Sequence, residues 1–176
     1  AISSQGGAKQ ALMYITSNWD TLVCDNRFTK DQLVAISSHN GAKQALTYIN
    51  SNWNTLVSDN RFTKDQLVSI SSHDGAKQAL MYITSNWNTL VSDERFTKDQ
   101  LVAISSHIGA KQALTYINSN WNTLVNDTRF TKDQLVSISS HNGAKQALTY
   151  IKTNWHTLVS DNRLTKDQLV SISSNK

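Results

Sequence analysis

Residues 62–95 read FTKDQLVSISSHDGAKQALMYITSNWNTLVSDER, and this run of 34 residues recurs along the whole chain. Phe28, Phe62, Phe96, Phe130 and Leu164 open successive copies. A fixed period of roughly 20–50 residues signals a stacked repeat array rather than a single compact domain. Complete copies span 28–61, 62–95, 96–129 and 130–163, with partial copies at 1–27 and 164–176. A chain that starts and stops inside a repeat is expected to be a piece of a longer array. The copies are nearly identical except at one internal position, which reads Gly6, Asn40, Asp74, Ile108, Asn142 and Lys176 in order. A constant scaffold with one variable point per unit suggests one reader per repeat.

Each unit predicts two helices. Thr29 followed by Gln32 fits a capping box, in which the two side chains satisfy reciprocal backbone donors. Asp31 adds negative charge near the positive end of the helix. Leu33, Val34 and Ile36 supply an apolar face, so a first helix is expected over about 30–37. Gly41 then breaks the run with permissive backbone angles. The second helix starts near Ala42, with Ala45, Leu46, Ile49, Trp53 and Leu56 on one stripe and Val57 beside them. No proline occurs in the chain, so this helix is not broken by one, although Asn54, Asn88 and Asn122 are expected to soften it. Ser58 to Arg61 connect to the next capping box. Neither helix can bury its stripe alone, and the expected fold is an all-α superhelix. Trp19, Trp53, Trp87, Trp121 and Trp155 hold one core-like position and are read as packing between repeats. A stacking platform for single-stranded bases is the minor alternative.

The formal charge is +4 with a pI near 9.2, a moderate basic bias compatible with a nucleic-acid partner. The single Cys24 excludes an internal disulfide framework, and Ser58, Ser92, Asn126 and Ser160 hold its place elsewhere. No apolar run is long enough to span a membrane, and no signal peptide is present in the sequence given.

Chemistry concentrates in the loop between the helices. His39, His73, His107 and His141 precede the variable site, one per repeat, which spreads them along an edge instead of gathering them on one metal ion. No nucleophile–base pair, carboxylate pair or phosphate loop stands out, and no enzyme activity or cofactor is expected. Lys9, Lys43, Lys77, Lys111 and Lys145 sit at the start of the second helix, beside exposed helix-start amides that suit a phosphate. Gly7, Gly41, Gly75, Gly109 and Gly143 allow close backbone approach. A row of lysines, one per unit, matches a polymer with one negative charge per step.

With Thr-Lys-Asp-Gln-Leu-Val at 63–68 and His-Asp-Gly-Ala-Lys-Gln-Ala-Leu at 73–80, the unit resembles the repeat of transcription activator-like (TAL) effectors and their TALE-like relatives. The resemblance covers the whole chain. The pairs Gln5-Gly6, His39-Asn40, His73-Asp74, His107-Ile108, His141-Asn142 and Asn175-Lys176 match that family's repeat-variable diresidue. The chain departs from the plant-pathogen pattern in three ways. Asp20, Asn54, Asn88, Asn122 and His156 stand where a second-helix proline is usual; Ala42 and its copies replace a second loop glycine; and the tryptophans are unlike it. A divergent branch such as the marine TALE-like group is suggested.

The resemblance implies a right-handed superhelical solenoid of two-helix repeats wrapped along the major groove of duplex DNA, each loop touching one base, the N-terminus at the 5′ end. Gln5, His39, His73, His107, His141 and Asn175 would brace their loops, the histidines by bonding first-helix carbonyls near Ala35, Ser69, Ala103 and Ser137. The second residue of each pair would read the base. Gly7, Lys9 and Gln10 would face phosphate, with Gly41, Lys43, Gln44, Gly75, Lys77, Gln78, Gly109, Lys111, Gln112, Gly143, Lys145 and Gln146 in the later copies. The chemistry of the reading residues agrees. Asp74 can accept from the cytosine amine, the one base-edge donor that suits a carboxylate, and Asn40 and Asn142 can donate to purine N7. Gly6 leaves room for a thymine methyl, Ile108 offers apolar contact and by analogy favours adenine, and Lys176 could donate to guanine. The expected site is 5′-T-R-C-A-R-(G)-3′, with R a purine.

The expected partner is therefore double-stranded DNA, bound by a monomer with no small-molecule substrate and no membrane. The main alternative is a protein-binding helical-repeat scaffold, which would spread its variation over a broad surface instead of focusing it at one loop position. An RNA reader with one base per repeat is a further alternative. A bacterial cytoplasm, or a host nucleus for a translocated effector, is the compartment the family suggests.

Overall fold

The computed structural model describes residues 7–174. The chain divides into two compact units, Ala1–Ser85 and Asn86–Lys176. In the first, the helices are α1 (Ala8–Ser17), α2 (Lys30–Ile36), α3 (Ala42–Ser51), α4 (Lys64–Ser71) and α5 (Ala76–Ser85). In the second they are α6 (Lys98–Ser105), α7 (Ala110–Ser119), α8 (Lys132–Ser139), α9 (Ala144–Thr153) and α10 (Lys166–Ser173). No strand occurs among the described residues. Each unit is a helical-repeat stack. In the first, α1 packs on α3 and α3 on α5, while α2 packs on α4; in the second, α7 packs on α9 and α6, α8 and α10 follow one another.

The capping box sets where each first helix begins. The Gln32 amide donates to Thr29 Oγ1 at 3.1 Å and the Thr29 amide to Gln32 Oε1 at 3.0 Å. The same box recurs at Thr63, Thr97, Thr131 and Thr165. Gln32 then uses its amide nitrogen to reach the next repeat, donating to Asp65 Oδ1 at 2.7 Å, as Gln100 does to Asp133. Leu33 and Ile36 are buried as expected, but Val34 is 44% exposed and lies off the core face. The first helix has two core positions, not three.

The second helix also differs from expectation. It is not one continuous α-helix to Leu56. The α-helical part stops at Ser51, because Asn52 leaves helical geometry (φ −116°, ψ 22°). The Asn52 side chain donates to Tyr48 O at 2.8 Å. A π-helical turn follows over Asn54–Ser58, closed by the Asp59 amide on Asn54 O at 2.8 Å. The break thus arises two residues before the position expected to soften, through an asparagine that caps the carbonyl four residues back. The wider turn keeps Leu56 in the core, where Ala45, Leu46, Ile49 and Leu56 are fully buried. Burial of each such leucine or isoleucine stabilises by about 1.5–3 kcal/mol, which helices of this length require.

After the π turn the chain reverses through a left-handed residue. Asn60 has φ 54°, and the Phe62 amide returns to Leu56 O at 2.8 Å. Asn26, Glu94, Thr128 and Asn162 hold the same place. Trp53 packs edge-on to Phe28 of its own repeat, with centroids 5.4 Å apart. It also meets the preceding copy, as expected: Arg27 lies over its ring at 5.1 Å and donates to Asn50 O at 3.0 Å.

Candidate nucleic-acid interface

Two of the interhelical loops are held by their histidines, His39 and His107, but not through the expected carbonyl. His39 Nε2 lies 2.6 Å from Ser71 O, in the first helix of the following repeat. The Ala35 carbonyl accepts from Ser38 Oγ instead, at 2.9 Å. His107 repeats the longer reach, with Nε2 2.7 Å from Ser139 O. The ring spans to the neighbour because its own first helix has already ended at Ile36 and Ser105, and their terminal carbonyls are met locally. Each such histidine therefore ties a loop to the next helix pair.

The loops take two arrangements. At Gly41 and Gly109, φ is −82° and the glycine amide donates to the histidine Nδ1 at 3.1 Å. At Gly75 and Gly143, φ is +95° and +87°, and the histidine Nδ1 lies 2.8 Å from the carbonyl of the variable residue. Only the second arrangement needs glycine for its backbone angle. The diresidue does not decide between them. His39-Asn40 adopts the first and His141-Asn142 the second, and His141 Nε2 is buried without a partner.

The variable side chains stand at the loop tips. Asn40 and Asn142 are exposed, Ile108 is 55% exposed, and the Asp74 side chain is 45% exposed. Ile108 is the unusual member, an apolar side chain held in solvent. Asp74 is tethered: its Oδ1 accepts from the Gly41 amide at 2.9 Å and lies 3.1 Å from His39 Nδ1. The Gly41 amide, with help from His39, holds the Asp74 carboxyl below its ordinary value against the opposing effect of partial burial. Asn40 Oδ1 accepts likewise from the Gly7 amide at 3.2 Å. These links between successive loops carry no signal in one repeat read alone. Their trace in the sequence is the constant spacing that puts each variable residue one turn of the stack past the preceding glycine.

Lys9, Lys43, Lys111 and Lys145 are exposed in the first turns of α1, α3, α7 and α9, and Lys77 is half-exposed in α5. Gln10, Gln44, Gln78, Gln112 and Gln146 beside them are exposed too. Gly7 is needed for close approach, since a Cβ there would meet Asn40 O at 2.6 Å. Gln5, Gly6, Asn175 and Lys176 lie outside the described residues. Among the described residues, no group of three or more His, Cys, Asp or Glu could hold a metal ion, and no helix is long and apolar enough to cross a membrane.

A capped helix, a tethered loop with one variable tip, and a second helix led by a lysine define a helical-repeat protein that presents a row of similar loops. The TAL effector repeat family matches residues 18–39 and 74–107. The chain thus carries TAL-effector-like repeats over those segments. No curated protein matches it.

Proposed function

We propose that the chain binds double-stranded DNA sequence-specifically through the major groove, one repeat per base, with Gly6, Asn40, Asp74, Ile108, Asn142 and Lys176 as reading residues in chain order. The observation that carries this reading is the loop itself. The side chain that varies between repeats is the one held out at the tip, and the lysine and glutamine that do not vary stand exposed, or half-exposed at Lys77, just after it. That divides the labour as a DNA reader must, with constant groups for the sugar–phosphate backbone and variable ones for base edges. The match to the TAL effector repeat supports it.

The reading of each base follows from donor and acceptor chemistry. A carboxylate at Asp74 accepts from cytosine N4 and is repelled by the acceptor edge of guanine. Asn40 and Asn142 donate to purine N7. Ile108 offers no hydrogen bond and selects by apolar contact. With Gly6 toward thymine and Lys176 toward guanine, the site reads 5′-T-R-C-A-R-(G)-3′. About five phosphate contacts give a salt slope of roughly −4.5 in log K against log salt.

A fluorescence titration at low salt tests this. The probe is a duplex containing 5′-TGCAGG-3′, compared with a copy whose cytosine is changed to adenine and with the same sequence as RNA. Binding to the first duplex, weakened by the base change and absent on RNA, is the expected result. Equal binding to both duplexes removes the code, and binding to none of them removes the DNA-binding reading.

A further inference from the structure

Asp74, the residue assigned to cytosine, does not belong to its own loop alone. Both Gly41 N and His39 Nδ1 approach one of its carboxylate oxygens, Oδ1, at 2.9 and 3.1 Å. The Asn40 backbone amide also acts on the carboxyl. A carboxylate has about four acceptor sites, so it can hold a backbone amide and still accept from a base. A side chain fixed before binding loses less rotamer freedom when it meets its target.

We propose that a reading side chain is set in place by the loop before it wherever the preceding glycine amide reaches it, so that the His39-Asn40-Gly41 loop is a specificity determinant for the base read by Asp74. This rests on the DNA-reading function proposed above. Gly41 and His39 act as positioning residues, turning the carboxylate toward the cytosine amine. Asn40 is held in the same way one repeat earlier, its Oδ1 accepting from the Gly7 amide at 3.2 Å. That choice of atom leaves the Asn40 amide group free to donate to a purine. Asn142 carries the same diresidue but makes no bond to the preceding glycine; the Gly109 amide goes to His107 Nδ1 alone. Ile108 has no side-chain acceptor and cannot be tethered. Base preference thus depends on pairs of neighbouring repeats, and two identical diresidues in one chain differ in how sharply they read.

The decisive variant is an amide-to-ester replacement at Gly41 in the full chain, which deletes the N–H donor and leaves every side chain in place. His39→Ala, which removes the ring contact, is the second variant. Affinity is measured on duplexes with each of the four bases at the third position, and separately at the second and fifth. The expected result is a loss of about fivefold in cytosine preference for the ester, the scale of one ordinary net hydrogen bond, with fifth-base preference unchanged. Carboxyl NMR of the free ester variant should show the Asp74 titration midpoint moving up toward its ordinary value. In the wild-type chain, purine preference should be stronger at the second base, read by Asn40, than at the fifth, read by Asn142. Unchanged cytosine preference in the ester, or equal purine preference at the two positions, overturns the inference while leaving the one-base-per-repeat reading standing. A wild-type chain with no preference at the third base overturns both.

Discussion

Phe96 and Trp121 meet edge to face, with ring centroids 5.3 Å apart and planes at 80°, and Arg95 lies over the same indole at 5.1 Å. The trio recurs as Arg27, Phe28 and Trp53 and as Arg129, Phe130 and Trp155. It closes each π turn against the capping box that opens the repeat. Trp121→Ala should cost about 3 kcal/mol, since it empties a site that the indole fills. A double-mutant cycle with Phe96→Leu and Trp121→Leu should show about 1 kcal/mol of coupling between the rings. Urea unfolding of the full chain measures both. Additive losses would mean that the edge-to-face geometry contributes nothing beyond burial.

Thr128 sits at φ 56°, where Asn26, Asn60 and Asn162 stand in other repeats. A β-branched residue is strained in the left-handed region, which costs about 1–2 kcal/mol for most side chains and less for asparagine. Thr128→Asn should therefore stabilise by about 1 kcal/mol. Its carbonyl, which accepts from Lys166 Nζ at 2.5 Å, is unaffected by the change. Thermal unfolding decides the matter, and a lower melting temperature for the variant would show that the threonine side chain makes a compensating contact.

Ser71 is fully buried, and its hydroxyl has no hydrogen-bond partner. Its carbonyl meets His39 Nε2 at 2.6 Å. A buried hydroxyl without a partner costs about 1–3 kcal/mol. Ser71→Ala keeps the backbone acceptor, raises helix propensity and removes the orphan group, so it should stabilise by about 1 kcal/mol. Chemical denaturation measures it. A destabilised variant would point to a partner for the hydroxyl in solution, such as a water.

Helix starts were legible in the sequence because capping is local: Thr29 and Gln32 need only each other. The core positions Leu33, Ile36, Leu46 and Ile49 were legible because burial follows helical period. The π turn was not, because it depends on how Asn52 caps Tyr48 O and on the return of Phe62 to Leu56, six residues apart in sequence. Val34 was misplaced because a short helix packed on one side needs a narrower stripe than its apolar content suggests. In the loop, the varying and constant residues could be told apart from the copies alone. The target of His39 could not, since Ser71 lies 32 residues away and only stacking brings it within reach.

Asp74 gives a pH test of the loop tether in the free protein. Its carboxyl is held below the ordinary value mainly by the Gly41 amide, so the folded state binds its proton less tightly than the unfolded chain does. The stabilisation is fully present above the unfolded value of about 3.9 and is lost as pH falls through the lower folded value. Asp74→Asn should therefore lower stability at about pH 6, by an amount that is smaller at about pH 3, below the unfolded value. The side chain is 45% exposed, so solvent keeps the contribution small. Urea midpoints at the two pH values provide the comparison, and a difference that persists unchanged in acid would show that the carboxylate is not what holds the loop.

Lys77 separates backbone contact from base reading. It lies in the first turn of α5, four residues before the exposed Met81 and three after Asp74. A lysine ammonium beside helix-start amides suits a phosphate, and a phosphate carries no sequence information. Lys77→Ala should thus weaken binding to every duplex by a similar factor and reduce the magnitude of the salt slope by about 1. Asp74→Asn should do the reverse, leaving the slope unchanged while shifting the third-base preference from cytosine toward purine. Titrations of both variants at several salt concentrations, on duplexes with each base at the third position, place each residue in one role. A Lys77→Ala effect confined to one base would move the lysine from the backbone to the base edge, and an unchanged slope would remove it from the phosphate interface.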